Sequence, residues 1–364
     1  MSPAASPAAA PVRLSEAELV ELAARILRAA GATRRVAELV ARSLAGSDLR
    51  GVASHGVIRI PEYLRAIEDG RIRPRATPRQ RVDTGTVLAL DGRGSFGALA
   101  ARELAQAAAA RAAAHGVCLA SLAGVSHVGR LGEWVGLVAE RELLALAWCN
   151  CGDPGGNVVP YGGREPRLGT NPIAYAIPRA DGDPVIADFS TSVVAEGRVR
   201  VHLHEGRAVP EGWLLDAAGA STCDPRDLYA GGAILPAGAH KGFALALLAE
   251  VLGGVLAGGA CASLGEPAGN GLVLLAVDPG AFGPRERFVE RVGAVMRAIA
   301  GTPPAAGCAG VVLPGAPETA AARRREREGI PIAPDTLGTL VEAAATVGVE
   351  VRAERIRSEG SDGI

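Results

Sequence analysis

Gly92-Arg93-Gly94-Ser95-Phe96-Gly97 decides how the rest of the chain is read. It lies between Val87-Leu88-Ala89-Leu90, an apolar β-type run, and an alanine-rich stretch that predicts a helix over residues 97–115. A G-x-G-x-x-G turn at such a junction can open a Rossmann dinucleotide domain, with the pyrophosphate resting on the helix N-terminus. Two features speak against that here. The next apolar run, Val117-Cys118-Leu119-Ala120-Ser121, leads into Leu122-Ala123-Gly124 without the acid that holds the ribose. Asp91 would also put a carboxylate beside the phosphates. The better reading is a glycine-rich bend with a structural job. A Rossmann-type reductase using residues 92–97 stands as the alternative.

Outward from this turn the chain alternates. A helix is expected over 129–142 and a strand over 144–149, then β-like pieces at 174–177, 185–187 and 198–204. A helix over 240–257, a strand over 272–277, a helix over 284–300, a strand over 309–313, helices over 316–328 and 335–346 and a strand near 349–355 complete the C-terminal half. Toward the N-terminus, residues 14–69 read as three helices. Ser15 and Glu18 form a capping box, Gly31 stops the first helix, Thr33 caps a second running to about residue 49, and a third spans 55–68 before Gly70. Residues 71–81, rich in Pro and Arg, read as a linker, and residues 1–13 as a disordered leader rather than a signal peptide. An α/β middle is thus flanked by helical material from both ends.

Composition narrows the partners. The 364 residues are 48% apolar with a net charge of −1, and Lys241 is the only lysine. No basic footprint for nucleic acid exists. The run Arg323-Arg324-Arg325-Glu326-Arg327-Glu328 mixes signs and reads as a solvated helix face. Residues 242–262 are the most apolar stretch, but Glu250 and several glycines favour a buried helix over a membrane span. The six cysteines have neither zinc nor C-x-x-C spacing, which fits reduced thiols in a cytoplasmic protein and no bound metal. His202 and His204 alternate as on a strand and read as surface residues.

Chemistry concentrates in five segments. Ser54-His55-Gly56-Val57-Ile58-Arg59 sets a proton-transferring imidazole four residues from a guanidinium that can grip a carboxylate. If Gly56 begins a helix, His55 and Arg59 share a face. Ser126-His127-Val128-Gly129-Arg130-Leu131-Gly132 follows a strand in a glycine-rich loop, and Gly169-Thr170-Asn171-Pro172 is a compact turn before another strand. Asp188-Phe189-Ser190-Thr191-Ser192 ends a strand with hydroxyls and amides suited to ribose or phosphate. His240-Lys241-Gly242 puts the lone lysine at a helix start, where a cation opposes the dipole and an anionic ligand would justify it.

In order and spacing these segments resemble the malate/L-lactate dehydrogenase family, which does not use a Rossmann domain and includes ureidoglycolate, sulfolactate and diketogulonate oxidoreductases and piperideine-2-carboxylate reductases. The resemblance runs from about residue 14 to 335. Its further marks are Asp48-Leu49-Arg50-Gly51, Val159-Pro160-Tyr161-Gly162-Gly163, Gly212-Trp213 with Asp216, Thr222 with Asp224-Pro225, Leu235-Pro236 and Pro314-Gly315. It implies an α/β (α+β) fold: a mainly antiparallel, nicotinamide-binding sheet domain at 81–279 and a helical domain built from both chain ends, residues 14–80 and about 280–364. It implies NAD or NADP as cofactor, a homodimer, and hydride transfer to or from a small 2-oxo or 2-hydroxy acid or a cyclic imino acid.

The resemblance also assigns roles. His55 and His127 are the two candidate acid/bases. Arg59, with Ser54, Thr170 and Asn171, faces the substrate, and Cys151, Asp188, Phe189, Ser190, Lys241, Gly242, Pro314 and Gly315 face the dinucleotide. The chain departs from the family pattern at Val52-Ala53, Cys151, Ala239-His240 and Ala316-Pro317-Glu318, and residues 259–271 look shortened. The shortened 259–271 stretch motivates a second alternative, a catalytically degenerate binding or scaffold protein in a biosynthetic pathway.

Overall fold

The computed structural model describes residues 11–152 and 154–351, and divides them into two units. One comprises residues up to Arg75 together with those from Pro317 onward, and the other spans residues 76–316.

The first unit is helical. Ser15 caps the helix Glu16–Ala29 in a two-way capping box with Glu18, and Thr33 caps Arg34–Leu49 by accepting from the Val36 amide. Their apolar faces bury Leu19, Ile26, Leu27, Val40 and Leu44 against each other. The expected leader ends earlier than residue 13: Val12–Leu14 is a strand paired antiparallel with Ile330–Ile332, so it gains ladder hydrogen bonds from the far end of the chain. The rest of the expected leader, residues 1–10, lies outside the described residues. The expected third helix is broken. Two 3₁₀ turns, Ala53–His55 and Val57–Arg59, precede the helix Ile60–Glu68, and Gly56 between them is extended with ψ −156°. His55 and Arg59 therefore do not lie one helical turn apart. The basic run of the helix Ala316–Glu328 is mostly exposed, but Arg325 is half-buried and donates to the Asp48 carbonyl.

The second unit is built on a seven-stranded sheet in the order Arg79–Asp83, Val87–Asp91, Val117–Val125, Asn270–Val277, Leu144–Cys151, Ile173–Ile177, Val185–Phe189. Every neighbouring pair is antiparallel except Val87–Asp91 with Val117–Val125. That parallel pair is joined by the helix Gly97–His115. Its alanines 101, 105, 108 and 112 are buried with Leu122, Trp134, Leu272 and Leu274 in the main core. Small side chains let helix and sheet approach closely at interior packing density.

Several expected elements change. The last residues of the expected linker, 79–81, belong to an edge strand, Arg79–Asp83. Residues 198–204 belong to the helix Glu196–His204, where Arg198 stacks on Trp213 and His202 meets the same ring edge-on. Residues 309–313 form no strand, nor do 349–351, and the remainder of that last expected strand lies outside the described residues. The helical domain was expected to resume near residue 280, but residues 280–316 group with the sheet unit. The ties are specific: Arg285 pairs with Asp278, Arg297 with Asp181, and the Ala180 amide donates to Val289 O. The apolar stretch at 242–262 is not a buried helix. It continues His240–Ala249 into a π-helical segment, Glu250–Leu256, with Leu247, Leu248, Val251, Val255 and Leu256 exposed. No helix among the described residues is long and apolar enough to cross a membrane.

Candidate active site

The glycine-rich turn that opened the reading spends its amides internally. Gly92 N donates to Ala123 O, Arg93 N to Asp91 Oδ1, Gly94 N to Gly124 O and Ser95 N to Gly92 O. Four amides that a phosphate would need are engaged, so Asp91 closes the turn instead of repelling a ligand. The glycines serve packing. A Cβ on Gly92 would lie 2.1 Å from Val125 Cγ1, and one on Gly97 2.2 Å from His127 O. The turn is thus the floor beneath the His127 loop. That loop is further fixed by Val128 N donating to Asn270 Oδ1 (3.1 Å) and Trp134 Nε1 donating to Val128 O (3.0 Å).

The other predicted residues of the sheet unit converge on the end of the strand Val185–Phe189. Asp188 Oδ2 accepts from Gly132 N at 2.7 Å. Ser190 Oγ and Thr191 Oγ1 both donate to Thr170 O, at 2.9 and 3.0 Å, tying that strand end to the Gly169-Thr170-Asn171 turn. Asn171 Oδ1 accepts from Cys151 N at 2.9 Å, and Cys151 Sγ lies 3.7 Å from Thr170 Oγ1. A Cβ on Gly242 would lie 2.7 Å from Thr191 O, and one on Gly315 2.7 Å from Ile186 O. Only glycine lets those two segments come so close. Pro314 and Phe189 are exposed beside them. Lys241 is exposed and makes no ion pair among the described residues, and it follows Ala239, held at φ +59°. One residue before it, His240 meets Tyr161 edge-on.

Ser54, His55 and Arg59 belong to the helical unit. Ser54 Oγ lies 3.0 Å from His55 Nδ1. Arg59 folds back, so that Nε donates to Ser54 O (2.7 Å) while Nη1 pairs with Glu62 (2.7 Å). The guanidinium thus reaches the His55 turn by a side-chain bond instead of by helical periodicity.

Beneath that turn lies a residue that sequence reasoning left without a role. Asp48, 4% exposed, accepts from Val57 N at 2.8 Å, and a Cβ on Gly56 would fall 2.0 Å from its Oδ1. Burial pushes its carboxyl up to about 7, against the opposing pull of the Val57 amide and the Arg325 guanidinium. Its only sequence signal was its place in Asp48-Leu49-Arg50-Gly51, seven residues before His55. Burial likewise raises the Cys149 thiol, with Cys151 and Asp188 adding to the effect, which leaves Cys149 an inert core thiol.

The malate/L-lactate dehydrogenase family model matches residues 14–341. The chain belongs to the malate/L-lactate dehydrogenase family. The L-lactate dehydrogenase of Cupriavidus necator is 33% identical, over 93% of this chain and 99% of that one. The (2R)-3-sulfolactate dehydrogenase (NADP(+)) of Chromohalobacter salexigens is 36% identical over 79% of this chain and 86% of its own length. Among solved structures, a putative malate/lactate dehydrogenase from E. coli superposes with a TM-score of 0.87 at 29% identity, covering 95% of this chain and 98% of that one. The delta1-piperideine-2-carboxylate reductase of Pseudomonas syringae superposes with a TM-score of 0.81 at 32% identity, covering 91% and 99%. The relatives of this malate/L-lactate dehydrogenase family member are, by name, oxidoreductases of hydroxy acids and of cyclic imino acids.

Proposed function

We propose that this chain is an NAD(P)-dependent oxidoreductase that moves hydride to or from a small 2-oxo or 2-hydroxy acid or a cyclic imino acid. The observation that carries the proposal is the meeting of Asp188, Ser190, Thr170, Asn171, Cys151 and Gly242 at one strand end. The donor set suits a dinucleotide. Asp188 offers a carboxylate to ribose hydroxyls, Ser190 and Thr170 offer hydroxyls, and Lys241 offers an ammonium to a pyrophosphate. Gly242 and Gly315 supply backbone approach that any side chain would fill. A nicotinamide dinucleotide, when bound, supplies the hydride chemistry.

This chain's residues supply the rest. Arg59 grips the substrate carboxylate and fixes the reacting carbon. An imidazole, His55 or His127, gives or takes the proton at the substrate oxygen or nitrogen, an effect worth roughly 10²–10⁴-fold. The Ser54 contact at Nδ1 orients the His55 ring. The unit in solution is proposed to be a cytoplasmic homodimer.

Oxidation of NADH and of NADPH, followed with a panel of 2-oxo acids and cyclic imines, tests the reading. Turnover of one class with one nucleotide is expected. No turnover and no nucleotide binding would leave a degenerate binding protein. Arg59→Ala is expected to act mainly on KM, and substitution of the proton-transferring histidine by Ala mainly on kcat by roughly 10²-fold or more. Comparing His55→Ala with His127→Ala identifies which ring it is, and wild-type-like kinetics in all three variants would sink the assignment.

A further inference from the structure

The proposed reaction makes no use of Glu250, an acidic residue only 4% exposed. It stands where the helix His240–Ala249 passes into the π-helical segment Glu250–Leu256. Such insertions of an extra residue recur at functional sites. Three and four residues on, a Cβ on Gly253 would come within 2.7 Å of Asn150 N and one on Gly254 within 3.1 Å of Asn150 Nδ2. The segment is therefore seated against the end of the strand Leu144–Cys151.

Glu250 Oε2 accepts from Asn171 Nδ2 at 3.0 Å. Asn171 is fully buried and held at φ +34°, where side-chain-bearing residues are uncommon. The same carboxamide donates to Ala246 O at 3.1 Å and accepts from Cys151 N at 2.9 Å. A continuous line of hydrogen bonds thus runs from Glu250 through Asn171 to the Cys151 amide. Glu250 Oε1, the other oxygen, is buried with no hydrogen-bond partner among the described residues. A buried polar atom left unmatched costs stability, and a methionine would fill the same space without that cost. Packing alone therefore does not account for this residue, and its visible work is the bond to Asn171.

We infer that Glu250 is a positioning residue, which holds Asn171 in its left-handed conformation and so fixes the Cys151 amide and the Thr170-Asn171 turn for ligand binding. The inference rests on the proposed assignment of Cys151 and Asn171 to the nucleotide and substrate. Its chemistry demands an acceptor at position 250 and not a charge. Glu250→Gln keeps an acceptor and Glu250→Met does not.

Two readouts test it. One is amide hydrogen exchange of the strand end around Cys151 in the protein without ligand. The other is NADH and NADPH titration by fluorescence, together with KM and kcat. Glu250→Met is expected to speed exchange and to raise the nucleotide Kd or the substrate KM about tenfold, the effect of one lost hydrogen bond, with kcat nearly kept. Glu250→Gln should stay close to wild type.

A donor–acceptor swap guards against misfolding of the methionine variant. Asn171→Asp removes the donor to both Glu250 and Ala246 O and should give a larger loss, and adding Glu250→Gln, whose amide can donate to the new carboxylate, should recover the part that the Glu250 contact supplies. A folded Glu250→Met with unchanged exchange and Kd overturns the inference, as does a double variant no better than Asn171→Asp. If the wild type binds no nucleotide, the proposed function fails, and the exchange rates of the ligand-free protein still decide the role of Glu250.

Discussion

Asp48 ties the chemistry of the His55 turn to the pH dependence of stability. Its folded carboxyl sits at about 7 against an ordinary value of 3.8. The folded state therefore holds this proton more tightly than the unfolded chain does. The group's contribution is most favourable below pH 4 and is lost as pH rises toward 7, where ionising a buried carboxyl costs on the order of a few kcal/mol. Asp48→Asn keeps an acceptor for Val57 N and removes the ionisation. Thermal melts between pH 5 and 8 should show the wild type losing more stability than Asp48→Asn across that range, and parallel curves would refute the assignment. At this scale the sequence singles out candidates whose proposed chemistry is local. His55, Arg59, His127 and Lys241 stand out by side-chain type and neighbours. Asp48 and Glu250 do not, because their significance comes from burial against other segments, Gly56-Val57 for Asp48 and Asn171 for Glu250. Glu250 was legible only as an acid misplaced in an apolar run.

Among the elements, the helix over 97–115 and the strands flanking it could be read from composition and periodicity, because helix and sheet bury each other along their whole length. Residues 198–204 were misread because alternating valine, leucine and polar side chains over seven residues suit a strand or a short helix equally. Stacking on Trp213, beyond the segment and outside its periodicity, accompanies the helical outcome. The glycine-rich turn shows the same dependence. Its pattern matched a phosphate loop, and only the hydrogen-bond partners of its amides reveal a structural bend. Opposite outcomes follow for two of its glycines. Gly97→Ala would drive a Cβ into the His127 backbone, at 2.2 Å from O, and is expected to cost about 1–3 kcal/mol in stability, and to lower kcat as well if His127 is the proposed proton-transferring ring. Gly94→Ala, at φ +74°, should cost only about 1 kcal/mol of backbone strain and leave the nucleotide Kd within about twofold. Loss of nucleotide binding in Gly94→Ala with Gly97→Ala unaffected would restore the Rossmann alternative.

For the whole molecule, the apolar stretch at 242–262 poses the remaining question, since its hydrophobicity was visible in the sequence but its destination was not. The single chain leaves Val255 68%, Leu256 58% and Leu247 47% exposed on one helical segment, with Leu264 at 70% close by in the chain. Contiguous apolar surface of this kind is uncommon on monomers and marks association. A net charge of −1 supplies little long-range repulsion between copies. The same helical segment carries Glu250 on its buried side, against Asn171, so self-association through its outer face would also stiffen the elements that hold Asn171. Sedimentation equilibrium should give twice the 36.9 kDa chain mass for the wild type. Leu248→Glu combined with Val255→Glu places two charges on the outer face while leaving the buried Ala246, Ala249 and Gly253 untouched. It should shift the mass to that of one chain and raise the nucleotide Kd. A monomeric wild type would rule out the proposed homodimer, and a double variant that stays dimeric would place the interface elsewhere.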